Sequence, residues 1–112
     1  MLVKNKQQTI SGPVHEEGSE KVRKAVLIGP EEGAPHFVMR RFDVEAGGFT
    51  PFHSHDWEHV VYVLEGSGKL VGEDAQQALE PGSSVFVAPG EKHQFRADEN
   101  SPLVFLCTIP RL

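Results

Sequence analysis

The chain has 112 residues and a net charge of −5. That length suits one domain, since a second core would leave each half below the size that usually folds alone. An acidic chain without a long basic run makes a poor surface for nucleic acid or an anionic membrane, and no stretch approaches the ~20 apolar residues of a membrane span. The opening MLVKNKQQTISGP lacks an apolar signal core, so nothing marks the chain for secretion. The single cysteine, Cys107, excludes an internal disulfide, and the cytoplasm is the expected compartment. The 11 Gly and 8 Pro predict many turns, and the 6 His carry the functional information.

Residues 1–21 are polar and broken by Gly12, Pro13 and Gly18. They read as an arm, partly ordered at best, ahead of a single domain over 22–112. Arg23 to Ile28 (RKAVLI) is a first strand, stopped by Gly29-Pro30. His36 to Val44 (HFVMRRFDV) is rich in Phe and Val and free of breakers until Gly47-Gly48 interrupts. Val60 to Leu64 (VVYVL) is the clearest strand, and its unbroken apolar character suggests burial on both faces. Gly66-Ser67-Gly68 turns into a short strand, Lys69 to Val71. Ala75 to Leu79 reads as either strand or irregular chain. Ser84 to Val87, His93 to Ala97 and Leu103 to Ile109 complete the strands. No window shows a good 3.6 period. Short strands with turn signals every 8–12 residues predict an all-β sandwich or barrel.

The segment FHSHDWEHVVYVLEG brings His53, His55 and His59 together. Residues two apart on an extended chain share a face, so His53 and His55 point the same way. Asp56-Trp57-Glu58 gives room for a turn that returns His59 to them. His93, after the turn at Pro89-Gly90, closes the set from a strand that lies alongside in a barrel. Neutral imidazole suits Zn, Fe, Ni, Cu and Mn. Four neutral ligands leave a divalent charge of about +2 uncompensated, so such a site attracts an anionic small molecule. The bland alternative, a surface HxH pair, competes with this reading until all four histidines are counted. His15 and His36 read as solvated surface residues.

These motifs resemble those of the cupin superfamily, specifically its small single-domain members. The first runs Gly47-GFTPF-His53-Ser-His55-DWE-His59-VVYVLE-Gly66 and keeps every spacing, with His59 where Glu is usual. The second runs Gly82-SSVFV-Ala88-Pro89-Gly90-EK-His93-QFR-Ala97, with Ala88 in place of Pro and Ala97 in place of Asn. The resemblance covers roughly residues 36–109. It implies an all-β double-stranded β-helix (jelly-roll) barrel of two antiparallel sheets, often dimeric, with one divalent transition metal (Mn, Fe, Ni, Zn or Cu) in the barrel mouth. The expected ligands are His53, His55, His59 and His93. Glu58 competes with His59 for the third position, but adjacent strand residues face opposite ways, which favours His59.

Phe52, Trp57 and Phe95, with Pro51, are candidates for an apolar wall around the ion, with core packing as the alternative for Phe52 and Phe95. An inward-pointing Arg40 or Arg41 could bind a substrate carboxylate, with a surface strand position as the commoner alternative; Arg41 is taken as the candidate. Tyr62 has the opposite parity to His59 and is assigned to packing, Gln94 is expected to face away from the site, and Cys107 reads as a buried small hydrophobe. Two functions compete. One is a metal-dependent enzyme, of dioxygenase, decarboxylase or isomerase type, acting on a small carboxylate or an enolisable or oxidisable substrate. The other is a non-catalytic module that binds a small molecule or carbohydrate. A structural domain with a vestigial site is a third. A homodimer is expected, with Val26, Ile28, Val104 and Leu106 at the contact and the arm as a strand donor.

Overall fold

The computed structural model describes residues 1–112. Nine antiparallel strands make it nearly all β: β1 (Ser11–Pro13), β2 (Glu20–Ile28), β3 (Phe37–Phe49), β4 (His59–Gly66), β5 (Gly68–Val71), β6 (Gln76–Leu79), β7 (Ser84–Val87), β8 (Gln94–Ala97) and β9 (Leu103–Pro110). Two single 3-10 turns, Lys6–Gln8 and Pro30–Glu32, are its only helical pieces. No helix is long and apolar enough to cross a membrane. The strands run in the order β6-β5-β8-β3-β9-β4-β7, with β2 and then β1 branching from β3. The result is a curled jelly-roll barrel.

The long strand β3 joins the two halves. Its first part pairs with β9 from Phe37↔Pro110 to Val44↔Leu103, and its last residue, Phe49, pairs with Arg96 of β8. Gly47-Gly48, expected to end this strand, instead bends it. Gly47 has φ 78°, and its N–H donates to the Asp98 carbonyl at 2.9 Å. A Cβ on Gly48 would sit 2.7 Å from the Glu20 carbonyl oxygen, so the corner requires glycine.

The core is built from Val22, Val44, Val61, Val63, Leu79, Val87, Phe95, Leu103 and Phe105, together with Ala97 and Cys107. The Phe105 ring stacks on Phe42 (centroids 5.1 Å) and on Phe95 (4.5 Å), which forms an aromatic floor under the barrel mouth. The VVYVL strand alternates and is not buried on both faces. Val61 and Val63 are buried, while Val60 and Tyr62 stand exposed on the outer face. Tyr62 therefore points away from the core. β-branched residues suit a half-buried strand as well as a fully buried one, so the sequence pattern did not separate the two cases.

The arm is more ordered than its composition suggests. The arm, expected to be donated to a neighbour, folds back on its own sheet instead: β1 lies antiparallel on β2 of the same chain, with Ser11 opposite Ala25. Val14 packs against the core, and Lys4 forms a 3.0 Å ion pair with Glu32. β2 begins at Glu20, inside the stretch read as arm.

Candidate metal centre

The two segments that carry the histidines are tied to each other by backbone. The His53 N–H donates to the His93 carbonyl (3.1 Å), and the His93 N–H returns the bond to the His53 carbonyl (2.9 Å). Just below, the Phe95 N–H donates to Thr50 Oγ1 and the Gln94 amide donates to the Thr50 carbonyl, both at 2.9 Å. Buried Thr50 and Gln94 thus act as a clamp beneath the HxH pair. The Gly90 N–H donates to the His55 carbonyl, fixing the far side. Rigid backbone of this kind holds ligand side chains in place before an ion arrives.

The donor atoms of His53, His55 and His93 all lie within 4.8 Å of one another. His53 Nε2 and His55 Nε2 are 3.1 Å apart. Two nitrogens at about 2.0–2.1 Å from a common ion are separated by about 2.9–3.4 Å for bond angles between octahedral and tetrahedral, so this pair has the spacing of shared ligands. The His93 Nδ1–H donates to the Glu91 carbonyl at 2.9 Å, because a carbonyl can only accept. Its Nε2 lone pair is thereby left free for an ion, the usual arrangement of a ligating imidazole.

His59 stands beside this trio. It is buried, its ring centroid is 4.7 Å from that of His93 and 5.2 Å from that of His55, and its Nε2 has no hydrogen-bond partner. Three of the four expected donors therefore form the tight cluster, and the fourth lines the same cavity. Glu58 is exposed and takes no part, as strand parity requires. A metal ion fits these residues: three imidazoles converge, and a fourth buried ring nitrogen is orphaned next to them.

Burial lowers the pKa of His53, His55 and His59 below the ordinary histidine value, and neighbouring imidazoles add to the effect. For His59 the value falls to about 3. All three are therefore neutral at pH 7, as metal ligation requires. Unfolded, they titrate near ~6.5. Between that value and the folded one the unfolded chain binds more protons, so stability rises with pH across this window. The metal-free protein is expected to have its full stability above about pH 6.5 and to lose it as pH falls toward 3. Melting temperatures at pH 7.5, 6 and 5 check this, and a flat profile would contradict it.

The histidines open onto a cavity of about 180 Å³. Phe42, Phe95 and Phe105 form its floor, and Trp57 stacks on His55 at 4.4 Å with the rings nearly parallel. Trp57 and Phe95 thus lie where the sequence placed them. Phe52 does not: it is exposed outside the cavity, under the Lys92 ammonium, because alternation turns Pro51, His53 and His55 inward and Phe52 outward. Arg41 is also outside, held by Asp43 through two 3.1 Å bonds on the outer face. Its neighbour Arg40 lines the cavity instead.

Two residues of the site were not anticipated. Glu16, from the arm, is the cavity's sole carboxylate and lies 3.5 Å from His53 Nδ1. Nothing in a polar arm marks one glutamate among several. Cys107 is buried as expected, but its sulfur bridges the Arg40 guanidinium (2.9 Å) and His59 Nδ1 (3.5 Å).

A jelly-roll barrel with clustered histidines in its mouth defines a class of small histidine-lined barrels. Residues 40–109 match the cupin domain family, and the chain belongs to it. Over 98% of this chain and 79% of the other, it superposes with a TM-score of 0.92 and 35% identity on the polyketide cyclase RemF from Streptomyces resistomycificus. It is 34% identical over 71 residues to 1-methylthio-D-xylulose 5-phosphate methylsulfurylase of Rhodospirillum rubrum, covering 63% of this chain and 46% of that protein. The chain thus spans less than half the length of that relative. It is also 28% identical over 96 residues to L-ectoine synthase of Rhodococcus opacus, covering 84% of this chain and 69% of that one.

Proposed function

We propose that this cupin is a metal-dependent enzyme acting on a small enolisable carbonyl compound that carries an anionic oxygen. The observation that carries the reading is the convergence of the His53, His55 and His93 donors at the end of an aromatic-walled cavity. His59, whose Nε2 is buried and unpartnered in the same wall, is proposed as the fourth ligand. Similarity to a polyketide cyclase over nearly the whole chain supports a carbonyl substrate.

When bound, a divalent ion supplies Lewis acidity, which polarises a carbonyl and makes the adjacent C–H more acidic. The chain's own residues do the rest. Phe42, Phe95, Phe105 and Trp57 form walls suited to a flat substrate and keep water out of the floor. Glu91 orients His93 through its carbonyl, and Glu16 is placed to orient His53. Glu16, half-exposed at the rim, is also the one carboxylate positioned to carry a proton in or out.

The discriminating experiment loads the metal-free protein separately with Zn, Mn, Fe and Ni. Each form is offered a panel of 1,3-dicarbonyl acids, short dicarboxylates and catechols, with proton NMR in D₂O and oxygen uptake as readouts. Metal-dependent exchange at the α-carbon, cyclisation or decarboxylation, lost in His93→Ala, is the expected result. Tight binding without turnover for every metal would favour the non-catalytic module instead.

A homodimer is part of this reading. Of the expected contact residues, Val104 is buried and cannot meet a partner, so the contact is placed instead on the outer face that exposes Met39, Val60, Tyr62 and Phe86, an apolar patch beside Leu106. Patches of this kind on small barrels are commonly covered by a partner. Light scattering is expected to give a dimer that persists in 1 M salt and dissociates in Phe86→Glu; a monomeric wild type at micromolar concentration would contradict it.

A further inference from the structure

Three buried side-chain nitrogens in this protein lack a hydrogen-bond partner: His59 Nε2, Arg40 Nε and Trp57 Nε1. All three belong to residues that line the histidine cavity. Buried polar atoms are normally paired, and an orphan costs stability unless something else binds it. The His59 nitrogen is the fourth ligand proposed above. The other two are N–H donors, and a metal cannot satisfy a donor.

Arg40 sharpens the point. Its guanidinium is permanently charged, yet it has no carboxylate partner. Its protein contacts are the Cys107 sulfur, a weak acceptor, and the face of Phe42 at 5.0 Å. The cavity's only carboxylate, Glu16, lies against His53. A part-buried cation without a counter-charge is an open half of an ion pair. Trp57 is held flat on His55, so its N–H direction is fixed relative to the histidines.

We propose that Arg40 and Trp57 form an oxyanion-binding subsite next to the metal centre, specific for a carboxylate or enolate oxygen of the substrate. Arg40 Nε–H and Trp57 Nε1–H donate to that oxygen while the ion takes a second oxygen of the same molecule. Cys107 engages Arg40 Nη2 and leaves Nε as the unsatisfied donor, which makes Arg40 a specificity-determining residue. The inference rests on the enzyme reading for the identity of the site, but its test needs no metal.

The test titrates malonate into ¹⁵N-labelled metal-free protein at pH 8 and follows the Arg40 Nε–H and Trp57 indole resonances. Saturable shifts of both are expected, with none from malonamide, the neutral isostere. Arg40→Met should weaken malonate at least tenfold and Trp57→Phe, which keeps the stack, about threefold. R40M should still take up zinc, because Arg40 is not itself a ligand. Should R40M not fold, Arg40→Lys keeps the stem and charge without the planar fork, and its affinity is expected to fall at least threefold. Wild-type malonate affinity in the folded Arg40 variant, or equal binding of malonamide, would overturn the subsite. Intact malonate binding without any zinc binding would remove the metal reading and leave the subsite standing.

Discussion

Replacing His93 by Ala is expected to lower affinity for a divalent metal by at least about 100-fold, since losses of 10–100-fold already follow from removing residues that merely support a ligand. His93 is buried, shares a two-way backbone bridge with His53, and has its Nδ1 proton committed to the Glu91 carbonyl. Its ring is therefore held with Nε2 toward the other donors. Glu58→Gln, one residue before His59, changes an exposed group on the opposite face and should leave metal affinity unchanged. Isothermal titration of metal-free variants with zinc reads both. Strong loss in E58Q with retention in H93A would reverse the assignment of the site.

Gly66→Ala should damage the fold more than any other alanine substitution at a turn. Gly66 has φ 81°, and an added Cβ would overlap the Pro102 carbonyl oxygen. Left-handed backbone costs a residue with a Cβ roughly 1–2 kcal/mol, and the overlap forces a backbone shift worth about 1–3 kcal/mol more. A loss of about 3 kcal/mol is a large share of a typical 5–15 kcal/mol stability and lowers the melting point by roughly 12 °C or more. Gly12→Ala is the internal comparison: nothing lies within 4 Å of its added Cβ, so it should stay within about 0.5 kcal/mol of wild type. Equal melting points for the two variants would refute the packing argument.

The clustered histidines were legible in the sequence because a two-residue period fixes which side chains share a face. His53 and His55 follow from that rule, and so does the choice of His59 over Glu58. His93 followed from the spacing of a second motif. The same rule failed for the arginines. FVMRRFDV places two adjacent cations in a strand with no strict alternation, so either could have been inward. Pairing of Arg41 with Asp43 on the outer face, and of Arg40 with Cys107 on the inner, decides it. Phe52 was misplaced because its apolar character was weighed above its parity with His53. The arm was underestimated because its contribution is made by single residues. Val14 and Glu16 reach the core and the cavity only once β1 is laid on β2, a long-range pairing that local composition does not encode.

The exposed apolar face shows a related limit. VVYVL has the composition of a fully buried strand, yet only Val61 and Val63 are inside. Val60 and Tyr62 are apolar for some other purpose than the core, and with Phe86 they form the surface from which the dimer is argued.

X-ray absorption spectroscopy of the zinc-loaded protein, wild type and His59→Ala, reads directly whether imidazoles of the barrel mouth hold one divalent metal ion. One ion per chain, with nitrogen ligands at about 2.0–2.1 Å and the outer-shell scattering of four imidazoles in wild type and three in H59A, is the predicted result. A zinc environment without imidazole scattering, or the same imidazole count in both proteins, would contradict the four-histidine site proposed here.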